Sequence, residues 1–201
     1  MVDTVEDLRR FYGEPGERAR LKALSRLDRH CRRFIELSPL LVIGTADAGG
    51  GADCSPRGDA PGFVRVLDDS TLAIPDRPGN NRVDTLSNII ANPNVGLIFF
   101  VPGINETLRV NGRARIATEE ALLERMCVNG KMPKSAVLVT VEQAFLHCAK
   151  ALIRSRLWDP ETRVERSSYP SLGRILADQI GGMDAEAAEA EIEQSYREKL
   201  Y

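Results

Sequence analysis

Aromatic residues are scarce in this chain. Phe, Tyr and Trp make up only 5% of its 201 residues, with a single tryptophan. A surface that stacks nucleotide bases needs more of them. An excess of one charge is also missing. The 27 basic and 29 acidic residues leave a formal net charge of −2, so no global basic field exists to hold a phosphodiester backbone. Long apolar runs are absent. The longest, such as Leu40–Gly44 and Val95–Pro102, fall far short of the ~20 residues that cross a bilayer. Histidine is limited to His30 and His147, and Cys31, Cys54, Cys127 and Cys148 form no CxxC pair. A zinc site draws about four such ligands at telling spacings, so no metal is expected. Neither a nucleic-acid nor a membrane partner is expected. The opening Met-Val-Asp-Thr-Val-Glu-Asp lacks the basic and apolar regions of a secretory signal. The four scattered cysteines are read as reduced, mostly buried thiols of a cytoplasmic protein.

What is present suits one globular domain with helical appendages. Hydrophobic residues make up 43% and charged residues 28% of the chain. A chain this long buries about 70% of its unfolded surface and needs no staple. Residues 1–38 read as a helical extension, with Leu21, Leu24, Leu27, Cys31 and Phe34 recurring every three or four positions among arginines. The arginine-rich face is diluted by Glu14, Glu17, Asp28 and Glu36, so it reads as a solvated helix face. Residues 39–160 form the core unit. Leu40–Thr45 and Ala52–Arg57 flank a glycine-rich turn, and Phe63–Leu67 and Thr71–Ile74 flank Asp68-Asp69-Ser70, giving two hairpins. Val95–Val101 is a further strand. Thr107–Ile116 alternates, with Leu108, Val110, Ala114 and Ile116 on one face. Ala136–Phe145 repeats valine at period two. Six or seven such strands predict a mainly β, α+β protein whose sheet closes into an antiparallel, Greek-key barrel, because closure removes exposed edges. Asn81 is expected to N-cap a helix with stripe Val83, Leu86, Ile89 and Ile90, ended by Asn92-Pro93. Residues 161–201 read as a C-terminal helical segment packed on the barrel or on a dimer interface. Its Ala188, Ile192, Tyr196 and Leu200 make a narrow apolar stripe.

Polar punctuation concentrates in Cys54–Asp59 and in Ile74–Arg82. The second stretch leads into a helix N-terminus, where free N–H groups and the dipole favour an anion. Arginine supplies the bidentate, charge-assisted bonds that phosphate prefers. The residues alone therefore suggest a phosphate site from Ser55, Arg57, Arg77, Asn81 and Arg82, against the plainer reading of a loop rich in turn formers. No P-loop or Gly-x-Ser-x-Gly element is present. Cys148 beside His147 makes no plausible dyad, because strand neighbours point to opposite faces.

The runs 55–59, 74–89, 92–103 and 106–114 together resemble the pyridoxamine 5′-phosphate oxidase-like FMN-binding proteins, most of all a bacterial subgroup described as FMN-dependent enzymes. The resemblance spans roughly residues 20–180. It implies a split β-barrel and a homodimer with FMN in two symmetric interface clefts. It implies a phosphate contact at Arg82 beside Asn81, backbone contacts to the flavin at Ile74 and Pro75, a basic strand segment at Ser55–Arg57 and a polar flavin contact at Thr107. The cofactor-binding set becomes Ser55, Arg57, Ile74, Pro75, Asp76, Arg77, Asn80, Asn81, Arg82 and Thr107. A last strand from the second subunit, within 150–158, adds Lys150, Arg154 and Trp158 as substrate or flavin contacts. The flavin carries the chemistry, so no catalytic side chain is assigned. Ser-Pro-Arg-Gly-Asp replaces the vitamin-processing oxidases' basic Arg…Lys strand motif, and their terminal Arg-x-His element is not evident. The expected activity is thus an FMN-dependent oxidoreductase with an open substrate. The alternative is a flavin- or haem-binding or redox-sensing protein without turnover on the same barrel.

Overall fold

Period-two alternation of apolar residues sets the strands. In the computed structural model, which describes residues 1–201, they are β1 (Leu40–Ala46), β2 (Ala52–Gly58), β3 (Arg65–Val66), β4 (Thr71–Pro75), β5 (Asn94–Phe100), β6 (Thr107–Ala117) and β7 (Ala136–His147). They pair antiparallel in one sheet, ordered β2-β1-β5-β6-β7-β4-β3. Leu108, Val110 and Ala114 of β6 are buried while Arg113 and Arg115 are exposed. A one-residue slip would exchange those faces, so burial fixes the register. The register shifts once, where Asn111 pairs with Gln143 but Gly112 pairs with Val141. Glu142 is the extra residue of this bulge.

The helices are α1 (Val5–Tyr12), α2 (Glu17–Leu21), α3 (Arg29–Leu37), α4 (Asp84–Ala91), α5 (Glu120–Glu124), α6 (Lys150–Ser155), α7 (Leu172–Ile180) and α8 (Ala185–Glu198). The curled sheet wraps Leu41, Ile43, Leu97, Phe99, Leu108, Val110 and Val139. Cys31, Phe34 and Ile35 of α3 and Ile89 of α4 complete that core. Each large apolar side chain buried this way contributes roughly 1.5–3 kcal/mol.

The ladder does not close as the strand count suggested. The sheet is consistent with a split barrel, with β2 and β3 as its edges. β3 pairs only through Arg65↔Ala73 and Val66↔Leu72. The chain just before it buries Phe63 and Val64 in the core instead of extending the ladder. The edges are blunted by the shortness of β3 and by Pro56 on β2, which has no N–H to offer a stray strand.

The N-terminal stripe is not one helix. Helix α2 ends at Leu21, which is exposed, and Leu24 joins the sheet edgewise by two backbone bonds with Ala144 of 2.9 and 2.8 Å. Asp28 then caps α3 by accepting from the His30 and Cys31 amides. Leu24 thus finds both of its backbone partners on β7 rather than in a continuing helix. Of the cysteines only Cys31 is buried; Cys54, Cys127 and Cys148 are exposed and unpaired. Burial raises the Cys31 thiol to about 11, so it stays neutral.

Helices α7 and α8 pack closely because residue 173 is glycine. A Cβ there would sit 2.5 Å from the Glu189 amide nitrogen. Its own N–H donates to Glu189 Oε2 at 2.7 Å. Of the expected α8 stripe, Ala188 is buried, Ile192 half-buried, and Tyr196 and Leu200 exposed. No helix is long and apolar enough to cross a membrane.

Candidate functional site

The alternation of β2 turns Asp53, Ser55 and Arg57 to one side, half-buried, and leaves Cys54 and Pro56 exposed. Asp59, the next residue in that phase, follows the strand. Helix α4 packs against this side. Thr85, buried in its first turn, donates from Oγ1 to Ser55 Oγ at 3.2 Å. One turn on, Asn88 donates to Thr45 Oγ1 at 3.0 Å. Thr45 pairs across the hairpin with Asp53. Asp53 Oδ2 is buried without a hydrogen-bond partner, an arrangement that favours an incoming donor.

The start of α4 differs from the expected cap. Asn81 is not the N-cap; Val83 holds that position in left-handed backbone, φ 55°, with no side-chain cap. Asn81 is itself left-handed, φ 58°. Asn80 instead turns the loop by accepting from the Arg82 amide at 3.1 Å. A β-branched residue in this region is strained by about 1–3 kcal/mol, a cost that concentrates at ligand sites. The helix therefore begins two residues later than expected; Val83 and Ile90 are exposed, while Leu86 and Ile89 face inward. The first N–H groups of α4 lack a side-chain acceptor, beside the hydroxyls of Ser55 and Thr85. That combination suits an anion.

The structure brings only some of the sequence candidates together. Arg57 comes near Asp76, whose carboxyl is raised by burial against the opposing pull of Arg57 and Lys134. Arg82 is exposed at the helix start and donates to Asp84 Oδ2 at 2.8 Å. Asn80 and Asn81 lie exposed in the same loop. Ile74 and Pro75 are buried and pair with Val137 and Ala136, while the pairing of β4 with β3 ends at Ala73, opposite Arg65. Their second backbone edge has no neighbouring strand. Arg77 turns away from Ser55 and donates to Asp59 Oδ2 at 2.7 Å. Thr107 is buried opposite His147, three strands from β2 in the sheet order. It is not brought to the Ser55 group.

The segment expected as a last strand is instead α6. Leu152 and Ile153 are adjacent, not alternating, and Lys150-Ala-Leu-Ile-Arg is made of helix-tolerant residues. Lys150 and Arg154 are exposed on it. Trp158 is half-buried and donates from Nε1 to the Ile104 carbonyl at 2.9 Å. The residues that sequence reading missed, Thr45, Asp53, Thr85 and Asn88, lie on the β1–β2 hairpin and along α4. The period-two phase of Ser55 and Arg57 pointed to Asp53.

A second polar group lies on the other face of the sheet. Lys22 Nζ and the Arg109 guanidinium lie 5.0 and 5.4 Å from the Phe145 ring centroid, and the His147 ring packs tilted against it, centroids 4.9 Å apart at 55°. His147 is held below its ordinary value, first by burial and then by Lys22 and Arg109. Unfolded His147 therefore takes up a proton before the folded form does. Stability should fall as pH drops through about 6.5. Denaturant melts between pH 7 and 5 should show a smaller loss for His147→Gln than for the wild type.

Chemically, the α4 group can hold an anion and hydroxyl donors. It contains no histidine to activate Ser55, and no group of three His, Cys, Asp or Glu is placed to hold a metal. The protein-family model described as pyridoxamine 5′-phosphate oxidase matches residues 27–148. No curated protein matches the chain. Among solved structures, the chain is similar to HupZ of Group A Streptococcus, at 23% identity and TM-score 0.49 over 60% of this chain and 93% of that one. It is similar to an FAD binding protein of Mycobacterium smegmatis, at 20% and 0.44 over 62% and 97%. It is also similar to General Stress Protein 26 of Bacillus anthracis, at 14% and 0.44 over 58% and 93%. The family match covers β1 to β7 and both polar segments of the candidate site, and the chain belongs to the pyridoxamine 5′-phosphate oxidase family.

Proposed function

We propose that the protein is an FMN-dependent oxidoreductase acting on a small molecule, with the cofactor bound between two copies of the chain. The observation that carries this reading is the pairing of Ser55 with Thr85 at the uncapped N-terminus of α4. FMN presents a phosphate, a ribityl chain of hydroxyls and a flat ring. The Ser55 and Thr85 hydroxyls, the free α4 amides and Arg82 suit the phosphate. Arg57 adds a second cation on the same side of β2. The buried, unpartnered Asp53 Oδ2 suits a ribityl hydroxyl as donor. Asn80 and Asn81 offer further polar contacts, and Asp76 sits where the loop meets Arg57. The unpaired edge of Ile74 and Pro75 offers backbone groups to the ring. When bound, FMN supplies hydride chemistry, and the protein's part is to position and shield it.

The second copy is proposed to contribute its 150–158 segment, including Lys150 and Arg154. Exposed Leu40 and Ile98 on the outer sheet face support such an interface. Light scattering at micromolar concentration should give a dimer; a monomer that still holds FMN would overturn this part. Arg82→Ala should weaken FMN binding roughly tenfold to a hundredfold, the scale of a charge-assisted hydrogen bond. The loss is set by exchanging the Asp84 pair for phosphate in the wild type. Flavin-fluorescence titration reads it, and an unchanged affinity would remove Arg82 from the site.

A further inference from the structure

Tyr201 lies 142 positions beyond Asp59 in the chain, yet its hydroxyl donates to Asp59 Oδ1 at 2.7 Å. The other carboxylate oxygen accepts from Arg77 Nε, also at 2.7 Å. The Arg77 guanidinium lies over the Tyr201 ring, 5.6 Å from its centroid. Lys131 Nζ donates to the Tyr201 carbonyl at 2.7 Å. The Asp59 side chain is 2% exposed and that of Arg77 15%. Burial alone would raise the Asp59 carboxyl, but donors from Tyr201, Ala60 and Arg77 hold it below the ordinary carboxylate range.

Packing does not wedge Arg77 in place. A cavity of about 110 Å³ adjoins the ion pair, lined by Asp59, Phe63, Arg65, Arg77 and Met126 among others. Arg77 therefore has room to move if Asp59 loses its hold. It is also the second residue of the 76–83 loop, which carries the left-handed Asn81 and Val83 and delivers Arg82 to the start of α4. The loop is thus anchored at its start by the Asp76 amide, which donates to the Ser135 carbonyl at 2.9 Å, and by this buried ion pair, to which Tyr201 supplies one of the few remaining hydrogen bonds. Breaking one member of such a network releases the others.

We propose that Tyr201 is a positioning residue for the anion-binding loop: through Asp59 and Arg77 it straps residues 76–83 in place and links flavin affinity to the C-terminal helical arm. This rests on the FMN reading above. The strap acts before any ligand arrives, because all of its bonds are made within the chain.

The test compares the wild type with Tyr201→Phe, which keeps the ring over Arg77 and removes only the hydroxyl. Amide hydrogen exchange of the flavin-free protein is followed over 76–83 and over β6. FMN affinity is then titrated. Exchange of the loop should speed up by about fivefold or more while β6 is unchanged. FMN binding should weaken by about threefold to tenfold. Asp59→Asn should move both readouts in the same direction. Unchanged loop exchange in Tyr201→Phe would overturn the strap. Faster exchange with unaltered FMN affinity would overturn its link to the site. A wild type that binds no FMN overturns the cofactor reading and the link together, while loop exchange still decides the strap by itself.

Discussion

Ser55→Asp is expected to abolish FMN retention while the fold persists. Ser55 is half-buried, and its hydroxyl lies 3.2 Å from that of Thr85 at the α4 N-terminus. A carboxylate there would cap the helix itself, taking the free amides that the phosphate needs. It would also repel what remains of the ligand charge. Two unit charges about 4 Å apart interact by roughly 4 kcal/mol at an effective dielectric of 20, and phosphate carries nearly two. The expected loss is therefore more than about a hundredfold in affinity. Ser55→Ala removes one hydroxyl and should cost only about threefold to tenfold. Fluorescence titration separates the two, and circular dichroism checks the fold. A Ser55→Asp protein that binds FMN like the wild type would move the site elsewhere.

The largest effect on stability is expected at Gly112. It sits at the β6–β7 register shift, buried, and an added Cβ would run into the Thr140 carbonyl and approach Val139 Cγ1 at 3.3 Å. The obstacle is backbone in the long central pair of the sheet, so no side-chain rotation relieves it. Gly112→Ala should cost about 3 kcal/mol or more, in the upper range for overpacking. Gly96, on the neighbouring β5, is the control. A Cβ there meets Asn111 Oδ1 at 3.6 Å, an ordinary contact, so Gly96→Ala should cost under about 1 kcal/mol. Thermal melts of the two variants check this pair. Equal melting temperatures would mean that the bulge can relax around a side chain.

The strands were legible because burial on one face imposes period two, which survives in Leu108, Val110 and Ala114 whatever lies around them. Closure was not legible. It depends on what β2 and β3 do at the edges, and a two-residue strand leaves little pattern. The helix at 84–91 was legible from its stripe and from Asn92-Pro93, but its cap was not, because the sequence points to Asn81, the residue type that usually caps. The loop instead spends two left-handed residues, Asn81 and Val83, before α4 begins. For α6, a strand expected from the family resemblance gave way to local helix propensity.

The same limits apply to the site. Ser55, Arg57 and Arg82 stand out as candidates in the sequence because polar punctuation next to a helix start is a local signal. Thr85 and Asn88 were not, since a threonine and an asparagine inside a helix usually report nothing. The neighbours of Arg77 in sequence suggest a phosphate ligand. Its actual partner, Asp59, lies 18 positions earlier, and the tyrosine that completes the arrangement lies 142 positions beyond Asp59. Long-range ion pairs of this kind leave no periodicity behind.

The most direct measurement is the absorption spectrum of the purified wild-type and Ser55→Asp proteins after FMN addition and desalting. Bands near ~370 and ~450 nm, those of a bound oxidised flavin, are predicted for the wild type and not for Ser55→Asp. A colourless wild type, or a variant as yellow as the wild type, would contradict a flavin site at Ser55 and the α4 N-terminus.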